Sequence, residues 1–147
     1  AITCFSDSLC YMANRQEVQQ VFDEVYQALE EEGTFIFDVH STYKIDSVFP
    51  EYSYHYQTEE FAFLWDSYAG EKEHSIEHFL TFFVKEQETD EHFVRYDELH
   101  QERTYSLDNY LRMLESAGFM NVKVYADFTD EAPTETSERW FFVCQRD

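Results

Sequence analysis

Hydrophobic residues recur at helical spacing near the start of the chain. Five of them lie three or four positions apart: Val18, Val21, Phe22, Val25 and Leu29. This spacing places them on one face of a helix. Asn14 followed by Glu17 is typical of a helix N-terminus, and Gly33 is typical of a helix end. The pattern predicts a helix over about residues 15–32.

Two apolar runs flank this helix and predict β-strands. Residues 1–6 are apolar and β-prone until Ser6-Asp7-Ser8, and Thr34–His40 is almost continuously apolar until Asp38. A continuous apolar run suits a parallel strand that is covered on both faces. The order strand, helix, strand with short connections predicts a βαβ unit with a right-handed crossover.

The middle of the chain has a different pattern. Aromatic and β-branched segments alternate there with polar stretches, at 52–56, 60–68, 74–85 and 92–105, with turns expected at 69–71 and 86–91. This is typical of an antiparallel meander. Alternation places Phe61, Phe63 and Trp65 on one face and Phe79 and Phe83 on another. Core packing explains these aromatic residues most simply, and a wall that faces a substrate is the alternative.

A second helix and two strands are predicted at the end of the chain. Ser106 begins a segment with Leu107, Tyr110, Leu111 and Leu114 at helical spacing, and Gly118 ends it. Strands are expected at 121–128 and 139–145, separated by a polar loop at 130–137.

The strongly negative charge of the chain limits which partners it is expected to bind. The chain has 31 acidic and 10 basic residues, for a formal charge of −21. This charge repels phosphates, so nucleic acid and membrane surfaces are not expected partners. A solvated acidic surface is the simplest interpretation, and recruitment of a basic partner is the alternative.

The spacing of Cys4, Cys10 and Cys144 indicates neither a disulfide framework nor a structural zinc site. With no signal peptide and no membrane-spanning run in the sequence, we expect a cytoplasmic location.

Polar residues follow both strands of the predicted βαβ unit. Ligands of open α/β sheets bind beyond the carboxyl ends of the strands. That edge would hold Asp7, Ser8 and Tyr11 after the first strand, and Asp38, His40, Ser41 and Tyr43 after the second. Simpler roles exist for several of them. Asp7 and Ser8 could cap a turn, Tyr11 could be an ordinary rim aromatic, and His40 could be a polar residue that follows a strand.

The fourth strand of the meander is rich in charge. Alternation places Glu98, His100 and Glu102 on one face, and Asp97 and Arg103 on the other. A metal site built on Glu98 and His100 would have only two ligands. We therefore expect a solvated or ion-paired face and no metal site.

The order of the elements, together with several local sequences, resembles the second half of class I S-adenosylmethionine-dependent methyltransferases. Glu-Glu-Glu-Gly33 before Phe-Ile-Phe-Asp-Val-His resembles the passage into the fifth strand of that family. Residues 103–124 resemble its last helix and sixth strand, and residues 5–11 resemble the end of its fourth strand. Within the family, the chain is most similar to small-molecule methyltransferases, including sugar-amine and glycine N-methylating types, which carry an inserted antiparallel sheet.

The resemblance implies an α/β fold: the C-terminal half of a seven-stranded Rossmann-like sheet, formed by residues 1–50 and 106–147. Residues 51–105 would be the inserted antiparallel sheet, acting as an acceptor lid or a dimer element. S-adenosylmethionine would be the cofactor, held mainly by a glycine-rich loop and an acidic residue upstream of this chain. We therefore expect the chain alone to be inactive. A small-molecule acceptor, a bacterial source and a homodimer, or association through the truncated edge, are also expected.

The resemblance also suggests roles for individual residues. Relatives often have Ser-x-x-His after the fourth strand, with the His near the methyl acceptor, whereas this chain has Ser8-Leu9-Cys10-Tyr11. Tyrosine, with an ordinary pKa of about 10, is a poorer base than histidine. The predicted roles fall into three groups: Tyr11 and His40 as catalytic residues at the acceptor, Asp7 and Ser8 near the cofactor, and Asp38, Ser41, Tyr43 and Trp65 in substrate binding.

Two other functions fit the sequence. One is a non-enzymatic module whose aromatic sheet forms a cup for an apolar ligand. The other is an interaction fragment whose missing half is supplied by another polypeptide. The strand–helix–strand start argues against the cup, because a cup needs no parallel crossover.

Overall fold

The βαβ unit predicted at the start of the chain is present in the computed structural model, which describes residues 1–86 and 92–147. Strand β1 spans Ile2–Cys4, helix α1 spans Arg15–Ala28 and strand β2 spans Thr34–His40. β1 and β2 pair in parallel. Parallel pairing brings their carboxyl ends to the same edge of the sheet, which is where the candidate site lies.

Helix α1 begins as predicted and ends earlier than predicted. The Asn14 side chain accepts a hydrogen bond from the backbone N–H of Glu17 at 3.0 Å, and the Glu17 carboxylate accepts one from the N–H of Ala13 at 2.9 Å. The predicted end near residue 32 is wrong, because Leu29 is already extended. Residues 30–32 are all glutamates, and carboxylates are unfavourable at the negative end of a helix dipole.

Two further strands complete the first sheet. β7 spans Asn121–Ala126, β8 spans Arg139–Gln145, and the strand order is β1-β2-β8-β7. β8 runs antiparallel to both of its neighbours. β7 is shorter than predicted, because Asp127 and Phe128 have positive φ angles and turn the chain.

The core lies on one face of this sheet. Helix α2, Leu107–Ala117, packs beside α1, with Ser106 at its N-cap and Gly118 at its C-cap, as predicted. The rings of Phe37 and Phe142 on adjacent strands stack 4.6 Å apart beneath the helices. The other face of β2 is only half-buried at Ile36, so the expectation of full cover on both faces is wrong for the residues that the structure describes.

The second sheet is the predicted antiparallel meander. It consists of strands β3 to β6 in sequence order: Ser53–Gln57, Phe61–Ala69, Ser75–Lys85 and Phe93–Arg103. Its register confirms that Phe63 and Trp65 share one face, since they pair with Phe82 and Leu80. Of the turn expected at 86–91, only Glu86 lies within the described residues.

The end of β6 joins the two sheets. The Thr104 hydroxyl is fully buried and donates a hydrogen bond to the backbone carbonyl of His40 at 2.6 Å. β6 also contacts the short 3₁₀ helix Ser8–Tyr11 that follows β1. The inner face of the second sheet therefore approaches the carboxyl ends of β1 and β2.

Candidate active site

A cleft of about 510 Å³ lies where the two sheets meet. The first sheet contributes residues that follow β1 and β2, together with Arg139 at the start of β8. The second sheet contributes Trp65, His78, His100 and Glu102, together with further aromatic residues. The cleft therefore combines an aromatic wall with a floor of ionisable side chains.

Arg139 joins the residues that follow the two parallel strands. Its guanidinium donates to the Asp38 carboxylate and, at 2.8 Å, to Asp7 Oδ1. Asp38 also accepts a hydrogen bond from the backbone N–H of Asp7 at 3.2 Å. Asp38 is buried, with only 2% of its surface exposed, so its charge depends on Arg139 for compensation.

Glu102 lies between two histidines at the floor of the cleft. Its Oε2 is 3.4 Å from His40 Nε2, and its Oε1 is 3.6 Å from His78 Nε2. Only 5% of Glu102 is exposed. The sequence pattern predicts a solvated or ion-paired face here. Glu102 is not solvated, because the end of β6 is covered by the residues that follow β1 and β2, but it contacts the two histidines. Glu98 on the same face is exposed and pairs with His100 at 2.9 Å.

Hydrogen bonds define the orientation of His78. The Trp65 indole N–H donates to His78 Nδ1 at 3.1 Å, and the Ser67 hydroxyl contacts the same nitrogen at 2.7 Å. A nitrogen that accepts from an indole N–H carries no proton of its own. The neutral His78 ring therefore carries its proton on Nε2, which faces Glu102.

Burial shifts the pKa values of the floor residues towards their neutral forms. Burial lowers the pKa of His40 to about 4, against the opposing effect of Asp7. Burial likewise lowers the pKa of His78 to about 4. Burial, followed by the nearby Asp7 carboxylate, raises the pKa of Glu102 to about 7. At neutral pH both imidazoles are therefore uncharged, and Glu102 is partly protonated.

Tyr11 lies at the rim of the cleft. Its hydroxyl is hydrogen-bonded to His100 Nδ1 at 2.9 Å, and 44% of the residue is exposed. Partial burial and the Glu102 charge raise the pKa of Tyr11 well above its ordinary value. The hydroxyl therefore stays protonated, which suits it to orienting a ligand by hydrogen bonding.

The other predicted site residues have different surroundings. The Ser8 hydroxyl donates to the Phe5 carbonyl at 2.6 Å and stabilises the turn after β1. Ser41 is fully buried, and its hydroxyl accepts from the backbone N–H of Lys44 at 3.0 Å. Tyr43 directly precedes the π-helical turn Lys44–Val48 and does not line the cleft. Trp65 does line it.

A set of potential metal ligands is present that sequence reasoning missed. Ligand atoms of Asp7, His40 and Glu102 lie within 4.8 Å of one another. The pattern within β6 offers only Glu98 and His100 as candidate ligands, whereas these three residues come from three separate segments. His78 and Arg139 were also missed. Arg139 opens an otherwise apolar strand, and that position alone was a signal for a polar role at the sheet edge.

Comparison with known proteins relates the chain to methyltransferases. One similar protein comes from Geobacillus sp. (strain WCH70), and its name proposes a methyltransferase activity. It is 46% identical to this chain over 145 residues, which cover 99% of this chain and 58% of that protein. YqeM of Bacillus subtilis (strain 168), named in the same way, is 40% identical over 146 residues with the same coverage. The crystal structure of an S-adenosylmethionine-dependent methyltransferase from Clostridium acetobutylicum superposes with a TM-score of 0.84 at 26% identity, over 98% of this chain and 56% of that one.

By sequence the chain is similar to proteins named as methyltransferases, and by fold it is similar to S-adenosylmethionine-dependent methyltransferases, consistent with the class I family. It spans about 58% of the length of the curated relatives it matches. CalS10, an amino pentose methyltransferase from Micromonospora echinaspora, is similar in fold alone. It superposes with a TM-score of 0.70 at 11% identity, over 99% of this chain and 57% of that one. No protein-family model matches the chain. Among the described residues, no helix is long and apolar enough to cross a membrane.

Proposed function

We propose that this chain forms the acceptor-binding side of an S-adenosylmethionine-dependent methyltransferase that acts on a small molecule. The observation that carries the proposal is the cleft between the two sheets, which combines an aromatic wall with buried ionisable groups at the carboxyl ends of β1 and β2. This edge is where ligands of open α/β sheets bind. A cleft of about 510 Å³ is within the size range of small-molecule sites.

The described residues fit the acceptor better than the cofactor. The chain has 3 glycines and no glycine-rich loop of the kind that cradles a nucleoside. Asp7 already pairs with Arg139, and the Ser8 hydroxyl is used within its own turn. We therefore assign most cofactor contacts to the part of the relatives that this chain does not span. Bound S-adenosylmethionine would supply a methyl group on a sulfonium.

The residues of the cleft would bind and orient the acceptor. Tyr11, whose hydroxyl is hydrogen-bonded to His100, would contact the acceptor at the rim, and the neutral ring of His40 would meet it at the floor. Trp65 and Phe49 form an aromatic wall that excludes water. Holding an acceptor in line with a reactive group supplies a large part of the rate enhancement in such transfers, on the order of 7–11 kcal/mol in favourable cases.

The location of the second sheet supports a role as a lid over the acceptor. Its inner face forms one side of the cleft through Trp65 and His78, whereas its outer face presents Phe79, which is 45% exposed. A homodimer through this sheet is a second proposed arrangement, and a cytoplasmic location remains our expectation. An apolar cup is less favoured than a methyl-acceptor site, because the cleft floor carries carboxylates and imidazoles.

The proposal is tested by following a labelled methyl group. The assay uses an extended protein, which consists of this chain together with the additional segment present in its curated relatives. This extended protein is incubated with methyl-tritiated S-adenosylmethionine and a cell extract of Bacillus subtilis. We expect label in the small-molecule fraction after separation by size. A matched control carries Tyr11→Phe and His40→Ala, which should reduce that label. Label confined to protein or nucleic acid, or unchanged in the control, would contradict the proposal.

A further inference from the structure

We propose that Asp7, His40 and Glu102 bind a divalent transition-metal ion at the floor of the cleft. The three ligand atoms converge from three segments: the turn after β1, the end of β2 and the end of β6. The proposal goes beyond methyl transfer, and the ion would bind whether or not a methyl acceptor is present.

The distances fit a coordination sphere better than they fit hydrogen bonds. His40 Nε2 lies 3.5 Å from Asp7 Oδ1 and 3.4 Å from Glu102 Oε2. Both separations are long for a charge-assisted N–H···O hydrogen bond, which is about 2.7–2.9 Å. Two ligands at about 2.1 Å from a tetrahedral ion are about 3.4 Å apart. These two separations match the spacing of ligands around one small ion, and the ligand atoms of Asp7 and Glu102 lie within 4.8 Å of each other.

An unsatisfied buried oxygen points to a ligand independently of these distances. Glu102 Oε2 is fully enclosed and has no hydrogen-bond partner among the described residues, although 95% of Glu102 is buried. Leaving a buried carboxylate oxygen unpaired is costly, by about 1–3 kcal/mol or more for a charged group. The same oxygen belongs to the converging set, so a cation bound there would satisfy it.

Neighbouring side chains lie beside both carboxylate ligands. His78 Nε2 lies 3.6 Å from Glu102 Oε1, beyond hydrogen-bond distance, and the Trp65 indole N–H orients the His78 ring. Arg139 donates to Asp7 Oδ1 at 2.8 Å. Carboxylates that bind metals commonly accept hydrogen bonds from such outer groups, which orient them. The charge of Arg139 is shared with Asp38, which limits its repulsion of a cation.

The ligand set indicates which ions would bind. Ca²⁺ and Mg²⁺ prefer sites made of oxygen alone, whereas one imidazole with two carboxylates suits Zn²⁺ and related first-row ions. Three protein ligands leave a fourth position for water or another oxygen or nitrogen ligand, as in catalytic rather than structural zinc sites. His40 and Glu102 line the cleft, so we infer that the open position faces the space assigned to the methyl acceptor.

The test measures Zn²⁺ binding by calorimetry on the 147-residue chain, after removal of metals with a chelator. We expect one Zn²⁺ per chain at the cleft, with Mg²⁺ binding much more weakly. Glu102→Gln keeps the size of the side chain and removes its charge, and should lower Zn²⁺ affinity by at least about tenfold. Glu98→Gln is the matched control, since Glu98 points from the same face of β6 but is exposed beside His100. It should leave affinity nearly unchanged.

A second measurement separates the site from surface binding. Co²⁺ bound to mixed nitrogen and oxygen ligands gives a visible spectrum, which His40→Ala should remove and His74→Ala should leave intact, since His74 pairs with Asp46 at the surface. Circular dichroism establishes whether each variant is folded, and Asp7→Asn replaces Glu102→Gln if the latter is unfolded. Zn²⁺ affinity that is equal in wild type, folded Glu102→Gln and folded Asp7→Asn would overturn the proposal. Because no methyl donor or acceptor is present, this result is independent of the methyl-transfer assay.

Discussion

Arg139, the first residue of β8, forms an ion pair with the buried carboxylate of Asp38 in β2. The two strands run antiparallel, so the start of β8 lies beside the end of β2. Asp38 Oδ1 has no hydrogen-bond partner among the described residues, which leaves the guanidinium as the main compensation for this charge. The pair therefore links the last strand of the fold to the edge that carries the cleft.

Replacement of Arg139 by Gln should strongly destabilise the chain. The substitution removes the partner of the buried Asp38 carboxyl, and breaking such a pair costs about 3–5 kcal/mol. Urea denaturation measures the loss in the free energy of unfolding. The double variant Asp38→Asn/Arg139→Gln should lose less than the sum of the two single variants, because neither charge remains.

The control for this prediction is an exposed ion pair. Arg112 contacts Asp108 at 2.8 Å on the surface of α2, where each side chain is 68% exposed. Arg112→Gln should change the free energy of unfolding by less than about 1 kcal/mol. Equal losses for Arg112→Gln and Arg139→Gln, or additive losses in the double variant, would contradict the role assigned to the buried pair.

The Asp38–Arg139 pair also illustrates what the sequence can predict. Helix α1 and strand β2 were predictable because their signals, such as Asn14 with Glu17, lie within a few residues of one another. The cleft floor was only partly predictable. His40 follows a recognisable strand, but the burial of Glu102 depends on how the second sheet docks against the first. A pattern of alternation gives the face of a strand and not what covers that face.

Gly118 should not tolerate a side chain. It ends α2 with φ of 114°, a conformation that L residues rarely adopt, and an added Cβ would lie 2.7 Å from the Tyr26 ring. Gly118→Ala should lower the melting temperature by several degrees, since the strained backbone alone costs about 1–2 kcal/mol. Ser116→Ala, at an exposed position of the same helix, should be neutral or slightly stabilising. A melting temperature unchanged by Gly118→Ala would contradict the cap geometry.

The start of α1 offers a smaller and more local test. Asn14→Ala removes the side-chain oxygen that accepts from the N–H of Glu17, and the loss of such a cap costs about 1 kcal/mol. Gln20→Ala, at an exposed position within the same helix, should change the free energy of unfolding by at most a few tenths of a kcal/mol. Chemical denaturation of both variants makes the comparison. A larger effect at Gln20 than at Asn14 would show that the cap does not stabilise the helix.

The role of the second sheet as an acceptor lid is tested by comparing its two faces. Trp65 lies on the inner face, lines the cleft and donates to His78, whereas Phe79 lies on the outer face and is 45% exposed. In the extended protein of the labelled-methyl assay, Trp65→Ala should raise the KM for the acceptor severalfold while leaving the affinity for S-adenosylmethionine nearly unchanged. The reason is that the side chain would contact the acceptor and not the cofactor.

Phe79→Ala is the matched control for that comparison, since it removes an aromatic ring of the same sheet that does not face the cleft. It should leave both KM values unchanged and alter only stability or self-association, which sedimentation measures. Steady-state kinetics with the acceptor fraction recovered from the extract, together with melting temperatures, separate these effects. If Trp65→Ala lowers only the melting temperature and leaves acceptor kinetics as in Phe79→Ala, the sheet packs on itself or on a second subunit. In that case the aromatic wall would have no part in acceptor binding.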